Sequence, residues 1–512
     1  MEMNDMKKLF LAVFALCAPA VALCAAGKEY RIEADFSAEV PPRRAMRDIN
    51  FPCDLTRSEG LEFDFKVGKR TEFSGFSFHY KCDGKWLSAG FGPGRCEDWT
   101  HCLVKKPETK KGEVDWSHVT AFRVSGWRGG TNRTYMAIRD VKIAPPPRKE
   151  TPEERERRLA AAAESNRVAL AAFKATPVPK GERRFSWSHS AVGIKGRGWE
   201  ESVAMLKKGG FTDLIANLTR GPRAAYRSDV LAMADVAEGK DRLEECLAAC
   251  RRHGIRLHIW NCCWRTGWGT TKEELAKFAA EGRVQRSSEG QAKPEWLCPS
   301  HPENRQMLVD SMMELARKGV DGVHFDYIRY PDGSYCCCDG CRERFEASVG
   351  EKVPQWPGSV FRDMVWRKRW LKFRQDAITS PVKEVAERIH GGGMRTEVSA
   401  AVFCSPLADP DSVGQDWPMW CEKGYLDFVC PMTYSKSLED FVVAQRLHAE
   451  QVTPKVPRYP GIGLSVWPKD GLDIARFTDQ VRFLRSERPR GVNGFTVFDL
   501  TKRLSDLVDG IR

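Results

Sequence analysis

A short apolar segment in the second half of the chain combines a strand pattern with groups that can act on a substrate. Residues 319–331 read GVDGVHFDYIRYP. Side chains alternate along a strand, so His324 and Asp326 share one face of it. A carboxylate at the end of a strand can attack an anomeric carbon or hold a proton. Capping a helix or pairing with Arg329 is the structural alternative for Asp326.

The elements around this segment alternate between short apolar runs and helix-length amphipathic stretches. Eight runs are predicted strands: Phe185–Val192, Thr212–Leu218, Arg256–Trp260, Gly322–Tyr327, Glu397–Phe403, Leu426–Tyr434, Arg458–Leu464 and Gly494–Phe498. Strands that alternate with helices predict an α/β fold, here a (β/α)8 or TIM barrel over residues 183–512. In such barrels the active site lies at the carboxyl-terminal ends of the strands, which is where Asp326 is expected.

Three segments precede the predicted barrel. Lys7 and Lys8 come before an uncharged stretch, so residues 1–27 are predicted to be a signal peptide. Residues 28–147 alternate with period two between turn residues, which predicts an all-β, jelly-roll-like sandwich. Residues 148–182 hold a charged, helix-forming stretch, which predicts a helical linker. We therefore expect an exported, periplasmic or extracellular protein without stable membrane insertion.

The composition bounds the class of protein. A chain of 512 residues with 42% hydrophobic residues is long enough for several folded domains. The formal net charge of +12 is spread over many segments, so no nucleic-acid partner is expected. An acidic or a neutral polymer is a compatible partner.

Cysteines are frequent, and the predicted export makes disulfides the first expectation for them. The sandwich segment contains Cys53, Cys82, Cys96 and Cys102, which allow three pairings. After the fourth barrel strand, the cysteines have the spacing of part of a zinc site. They are Cys336, Cys338 and Cys341, with Cys298 or Cys404 to complete the site. Disulfides and a structural zinc are alternatives at this loop, and no cofactor or catalytic metal is predicted.

Four motifs give the chain a resemblance to a known family. They are GFTDLIANL at the second strand, LCPSHPENR before the fourth unit, GVDGVHFDYIRYP at the fourth strand and GYLDFVCPMTY at the sixth. With them, residues 185–500 resemble glycosyl-hydrolase-like family 10, a group of (β/α)8 proteins distinct from the family 10 xylanases. The resemblance implies glycoside hydrolysis with Asp326 as the nucleophile or principal carboxylate. The family frequently has a second Asp directly after the first, where this chain has Tyr327.

Hydrolysis of a glycosidic bond also needs a second carboxyl group. Asp416, in GQDWPMW, matches an acidic position that the family commonly shows before a Trp, so the resemblance implies it as the proton donor. Asp409 and Asp411 in the same loop, and Asp499 at the end of the eighth strand, are its rivals.

Substrate binding is expected from aromatic rings and polar groups near the strand ends. The predicted residues are His258, Trp264, Trp268, His324, Arg329, Tyr330, Tyr434, Trp467 and Asp499. Each aromatic or histidine alone is as well explained as a packed or hydrogen-bonded core residue. Their expected place on one rim of the barrel favours binding.

These observations predict an exported glycoside hydrolase that acts on a polysaccharide or cell-wall glycan. The end of the sandwich segment resembles carbohydrate-binding modules, although its aromatic residues could equally fill the sandwich core. The alternative for the whole chain is a non-catalytic glycan-binding protein on a TIM-barrel scaffold, and Tyr327 is the residue that favours this alternative.

Overall fold

The structure, a computed structural model, describes residues 28–38, 41–109, 113–267 and 269–511. The predicted signal peptide at 1–27 and the predicted binding residue Trp268 lie outside the described residues. The described residues form two compact units, one mainly of residues 44–127 and 131–149 with the preceding strand, the other mainly of residues 150–512. None of the helices that the structure describes is both long and apolar enough to cross a membrane.

The first unit is built from two four-stranded sheets. Its strands are β1 (Tyr30–Asp35), β2 (Arg44–Cys53), β3 (Gly60–Val67), β4 (Phe73–Cys82), β5 (Lys85–Ala89), β6 (Thr100–Lys105), β7 (Val119–Arg128) and β8 (Arg133–Ile143). The sheet orders are β1-β8-β3-β6 and β2-β7-β4-β5. The pairs β1/β8, β3/β8, β3/β6, β2/β7 and β4/β5 are antiparallel. The prediction of antiparallel sheets before the barrel is therefore confirmed.

Aromatic rings from the period-two strands fill the core of this unit. The rings of Phe63 and Phe78 lie 5.7 Å apart, and those of Phe78 and Phe122 lie 5.3 Å apart, both pairs stacked. All three side chains are buried. These rings therefore stabilise the sandwich by removing apolar area from water, and they are not available to a sugar.

The expected disulfides are not formed in the described part of the chain. No disulfide bond joins any of its sixteen cysteines, which include Cys53, Cys82, Cys96 and Cys102 of the sandwich. Three of these four are buried among apolar side chains, where a thiol packs as a small hydrophobic group. Burial raises the pKa of Cys102 to about 12, so the reactive thiolate is disfavoured there.

The second unit alternates strands with helices. Its strands are β9 (Arg183–Ser188), β10 (Asp213–Arg220), β11 (Arg223–Ala224), β12 (Ala232–Met233), β13 (Arg256–Cys262), β14 (Val284–Arg286), β15 (Ala292–Leu297), β16 (Gly322–Asp326), β17 (Glu397–Val402), β18 (Phe428–Pro431), β19 (Gly461–Ile462) and β20 (Gly494–Phe498). Its helices are α1 (Pro152–Lys174), α2 (Gly198–Lys208), α3 (Arg242–His253), α4 (Lys272–Ala280), α5 (Pro302–Arg317), α6 (Asp339–Val349), α7 (Gly358–Arg362), α8 (Met364–Gly391), α9 (Asp409–Val413), α10 (Trp417–Glu422), α11 (Leu438–Gln451), α12 (Asp473–Glu487) and α13 (Lys502–Ile511).

Eight parallel strands form a nearly closed barrel, as the sequence predicts. They follow the order β18-β17-β16-β13-β10-β9-β20-β19. Bridges from Arg458 to Val429 and to Val492 bring the seventh strand segment between the sixth and the eighth. The regular part of this seventh strand, β19, is shorter than the predicted Arg458–Leu464. The prediction of a (β/α)8 barrel is confirmed.

Helix α1, within the predicted linker, packs on helix α12 of the barrel. Its amino-terminal end is fixed by a capping box in which Thr151 and Glu154 exchange hydrogen bonds. The rings of Phe173 and Phe477 lie 6.4 Å apart, and Asn166 Oδ1 accepts a 2.9 Å hydrogen bond from the backbone of α12. The helix is therefore a docked part of the barrel unit.

An ion network closes the amino-terminal end of the barrel. Arg183 pairs with Asp213 and, at 3.1 Å, with Glu397, while Arg256 lies 2.9 Å from Glu397. His258 Nε2 lies 3.0 Å from Asp213 Oδ1. Burial raises the pKa of Asp213, but the hydrogen bonds and charges of His258 and Arg183 outweigh this effect and hold the pKa well below its ordinary range.

A buried hydrogen-bond chain crosses the barrel interior above this network. The Trp187 indole donates to His324 Nε2 at 3.2 Å, and His324 Nδ1 lies 2.8 Å from Ser399 Oγ. An indole only donates, so His324 Nε2 accepts and its proton lies on Nδ1, which donates to the hydroxyl group. Burial lowers the pKa of His324 well below its usual value, in agreement with a neutral ring. This chain joins the first, fourth and fifth barrel strands.

We predict that Ser399→Ala destabilises the barrel by about 1–3 kcal/mol, because His324 Nδ1–H then lacks an acceptor in a buried site. Urea unfolding followed by tryptophan fluorescence measures this change in the free energy of unfolding. The control is Ser486→Ala on an exposed position of α12, which should change it by less than about 0.5 kcal/mol. Equal stability of the two variants would contradict the role given to the hydrogen-bond chain.

Candidate active site

Asp326 is the last residue of β16 and lies at the carboxyl-terminal end of the barrel. It is 5% exposed. Because it lies two residues after His324, it shares the inward face of the strand. The next residue, Tyr327, has a left-handed backbone conformation (φ 50°), which turns the chain as the strand ends. Its backbone N–H donates a 2.6 Å hydrogen bond to Asp326 Oδ1.

The surroundings of Asp326 raise its pKa. Burial is the largest cause, since it disfavours the ionised carboxylate. The charges of Arg329 and His189 and the hydrogen bond from the Tyr327 backbone oppose this effect only in part. The carboxyl group therefore keeps its proton to a higher pH than an ordinary aspartic acid, as acid and base groups of active sites often do.

A histidine–carboxylate pair lies on the same rim, between the first and last barrel strands. His189 follows β9, Asp499 follows β20, and His189 Nδ1 lies 2.9 Å from Asp499 Oδ2. The hydroxyl of Ser465 also donates to Asp499. The His189 side chain is 43% exposed and that of Asp499 only 10%, so the imidazole is the solvent-facing member. Asp499 was predicted from the sequence but His189 was not, because the predicted first strand continued to Val192 whereas the observed strand ends at Ser188.

Aromatic rings surround these polar groups. The His189 ring lies 4.6 Å from that of Trp260 and 4.9 Å from that of Phe498. Tyr434 stacks on Phe498 at 4.9 Å. Burial raises the pKa of Tyr434 well above its usual value, and the charges of Asp326 and Asp499 add to the effect. Tyr434 therefore lies within electrostatic reach of both carboxyl groups.

Two arginines flank Tyr327 at the rim. The guanidinium carbon of Arg265 lies 5.5 Å from the ring centroid and that of Arg329 lies 4.8 Å from it, both within cation–π range. Arg265 Nη1 also donates to the Tyr327 hydroxyl at 3.3 Å. Burial lowers the pKa of Arg329, and the charge of Asp326 opposes that shift. Arg265 is exposed, so a positive group faces solvent beside the site.

Asp416 is the residue that the family resemblance predicted as the second carboxyl group. It is the N-cap of α10, and its Oδ1 accepts from the backbone N–H of Met419 at 3.3 Å. Burial is the largest cause that raises the pKa of Asp416, and the charges of Asp411 and Asp376 raise it further. The charge of Lys372 opposes these effects. The contacts of Asp416 are those of a helix cap at the start of the sequence WPMW.

The rival Asp409 is buried, with 4% exposure. Its Oδ2 accepts from the Ser405 backbone at 2.9 Å and from the Trp417 indole at 3.4 Å. Burial raises its pKa to about 8, and the charge of Arg329 opposes this. Its hydrogen bonds hold the loop after β17 in place.

Other predicted binding residues lie in the interior. His258 belongs to the ion network at the opposite end of the barrel, and His324 belongs to the buried hydrogen-bond chain. Trp264, Tyr330 and Trp467 are at most 3% exposed and pack in the core between strands and helices. Beyond a strand end the alternation of faces stops, so position in the sequence does not decide which of these rings faces the cleft. Of the predicted set, Asp326, Arg329, Tyr434 and Asp499 come together.

Fold and site define a (β/α)8 barrel with a buried carboxyl group and aromatic rings at the carboxyl-terminal ends of its strands. The profile of the family Glycosyl hydrolase-like 10 matches residues 201–464, just over half of the chain. The chain belongs to this family. No curated protein matches the sequence.

Several solved structures are similar to the barrel at low identity. The β-amylase catalytic domain from Paenibacillus polymyxa aligns with a TM-score of 0.43 and 10% identity over 63% of this chain and 94% of its own. An α-L-fucosidase from Paenibacillus thiaminolyticus has a TM-score of 0.43 and 11% identity over 64% of this chain and 48% of its own. A β-galactosidase from Marinomonas ef1 has a TM-score of 0.43 and 12% identity over 62% and 54%.

We predict that Asp326→Asn raises the thermal midpoint of unfolding at pH 7. The pKa of Asp326 is higher in the folded chain than the value of about 3.9 expected when unfolded, so the folded state binds this proton more tightly. Ionisation therefore costs stability above that pH, and an uncharged amide of the same shape removes the cost. The gain should vanish as the pH falls below about 4, where the carboxyl group is protonated in both states.

Differential scanning calorimetry between pH 4 and pH 8 measures this dependence, and Asp229→Asn at an exposed position is the control variant. A lower midpoint for Asp326→Asn at pH 7 would contradict the prediction.

Proposed function

We propose that this protein is an exported glycoside hydrolase that acts on a polysaccharide or cell-wall glycan. The observation that carries the proposal is Asp326, a buried carboxyl group of raised pKa at the end of the fourth barrel strand. Membership of the glycosyl hydrolase-like family supports this class of reaction. The position at the carboxyl-terminal end of a barrel strand supports a catalytic role.

In this proposal Asp326 acts as the carboxylate that meets the anomeric carbon. The transition state of hydrolysis resembles an oxocarbenium ion, so a carboxylate at that carbon stabilises the developing charge or forms a covalent intermediate. The backbone N–H of Tyr327 holds the group in place by a hydrogen bond. Arg329 favours the ionised form that this role requires.

The second carboxyl group in this proposal is Asp499, and it works through His189. Asp499 accepts from both His189 and Ser465, which suits an ionised carboxylate better than a proton donor. It orients the imidazole through Nδ1, which leaves Nε2 to exchange a proton with the leaving oxygen. The His189 ring suits this task because it is exposed and because its charge acts on Asp326.

The rim also suggests what kind of sugar is bound. The partly buried rings of Tyr434 and Tyr327 lie at this rim and suit contact with pyranose rings. The exposed guanidinium of Arg265 suits an acidic substituent, because Arg binds carboxylates with paired hydrogen bonds. We therefore expect polymers that contain uronic acid or carboxylated amino sugars to be better substrates than neutral ones.

We predict that the mature protein releases new reducing ends from one member of a panel of neutral, acidic and cell-wall glycans. Asp326→Asn should reduce this release to background while it still binds the same glycan in a sedimentation assay. Unchanged release by Asp326→Asn would overturn the role of this residue. Binding by the wild-type protein without release from any glycan would favour the glycan-binding alternative, which Tyr327 in place of a second Asp supports.

A second set of variants distinguishes the proton donors. We predict that His189→Gln and Asp499→Asn lower kcat on the natural glycan by about 10²–10⁴-fold, since general acid catalysis contributes that much. On an aryl glycoside with a good leaving group the loss should be much smaller, because that group needs little protonation. Asp416→Asn should keep its activity, because Asn caps a helix as well as Asp does. Large loss in Asp416→Asn with intact His189→Gln would contradict this assignment.

A further inference from the structure

Four buried cysteine sulfurs meet beside the loop that follows β16. Cys298 comes from the turn between β15 and α5, Cys336 and Cys338 from the loop, and Cys341 from the first turn of α6. All four Sγ atoms lie within 4.8 Å of one another. The four side chains are buried, with at most 6% exposure. Two chain segments that are distant in the sequence thus direct sulfur atoms to one point.

The spacing of the sulfur atoms fits a tetrahedral metal ion. Zinc–sulfur bonds of about 2.3 Å at tetrahedral angles place the sulfurs of a four-cysteine site roughly 3.8 Å apart. Cys298 Sγ lies 3.8 Å from Cys338 Sγ and 3.4 Å from Cys341 Sγ. A disulfide would bring two of these atoms to about 2.05 Å, and all four cysteines are free. We propose that Cys298, Cys336, Cys338 and Cys341 bind one structural Zn²⁺ ion.

Hydrogen-bond donors surround the sulfur atoms in the way that thiolate ligands need. The backbone N–H of Arg286 donates to Cys336 Sγ at 3.4 Å. Ser300 Oγ lies 3.1 Å from Cys341 Sγ and accepts from Arg344 Nε at 3.2 Å. Four thiolates and one Zn²⁺ leave two negative charges, and the Arg344 guanidinium next to Ser300 partly balances them.

The ion has a structural role in this proposal. Four protein ligands leave no open position for water or substrate, which separates structural zinc sites from catalytic ones. The ion ties the loop after β16 to the segment before α5. That loop carries Arg329, whose charge acts on Asp326. Zinc therefore fixes the loop that helps to set the ionisation of the candidate catalytic carboxyl group, whether or not the proposed glycosidase activity is correct.

The experiment measures metal content on the full chain purified without added chelator. Inductively coupled plasma mass spectrometry should find one zinc per wild-type chain and none in Cys338→Ser or Cys341→Ser. The matched control is Cys337→Ser: this buried cysteine lies in the same loop, but its Sγ faces the Ser334 carbonyl at 3.6 Å, so the variant should keep its zinc. Loss of zinc in the control as well as in the ligand variants would overturn the ligand assignment.

A second measurement does not depend on the folding of the variants. Wild-type protein in which Co²⁺ replaces the metal should show the intense sulfur-to-metal charge-transfer bands of a tetrahedral thiolate site. Mass spectrometry of the alkylated, non-reduced chain counts disulfides in the same sample. Wild-type protein with no bound metal and with Cys298 in a disulfide would overturn the proposal. Iron in place of zinc, which the same sulfur donors also suit, would overturn the choice of metal.

Discussion

A hydrogen bond across the barrel interior fixes the strand on which the candidate site depends. His324 accepts from Trp187 and donates to Ser399, so the first, fourth and fifth strands are joined by one neutral imidazole. A shift of the fourth strand by one residue would leave all these groups buried without partners. The same register places Asp326, two residues further on, inside the barrel. The hydrogen bonds of His324 thus help to fix the position of the Asp326 carboxyl group, although Asp326 is not one of their partners.

The two ends of the barrel differ in what their charges do. At the amino-terminal end, Arg183 pairs with both Asp213 and Glu397, so each charge has an opposite partner within hydrogen-bond distance. At the carboxyl-terminal end, Asp326 is buried with its pKa raised, so its ionised form is held at a cost in stability. The ion pairs at the amino-terminal end therefore contribute stability that offsets the cost of burying an ionised carboxyl group at the carboxyl-terminal end. This division is typical of proteins with functional sites.

Much of the fold could be predicted from local sequence, but the side-chain contacts within the candidate site could not. The alternation of strands with helices predicted the barrel, and the alternation of side chains along GVHFD predicted the inward position of Asp326. His189 and Asp499 lie 310 residues apart in the chain, and their pairing depends on the closure of the first strand onto the eighth. Asp416 matched a family pattern, yet the residues after it begin a helix that uses its carboxylate as a cap. The sequence offered Cys298 and Cys404 equally as a fourth sulfur, and the turn before α5 brings Cys298 to the cluster.

The packing of helix α1 decides where the barrel module begins in the sequence. Its contacts with α12, through Phe173 and Asn166, make it a piece of the barrel even though it precedes the first barrel strand. A fragment that started at the first strand would expose the apolar face of α12 around Phe477, which is now 3% exposed. The exchangeable module therefore begins near residue 150, and a domain joined to the amino-terminal side of this barrel would have to be attached ahead of that helix.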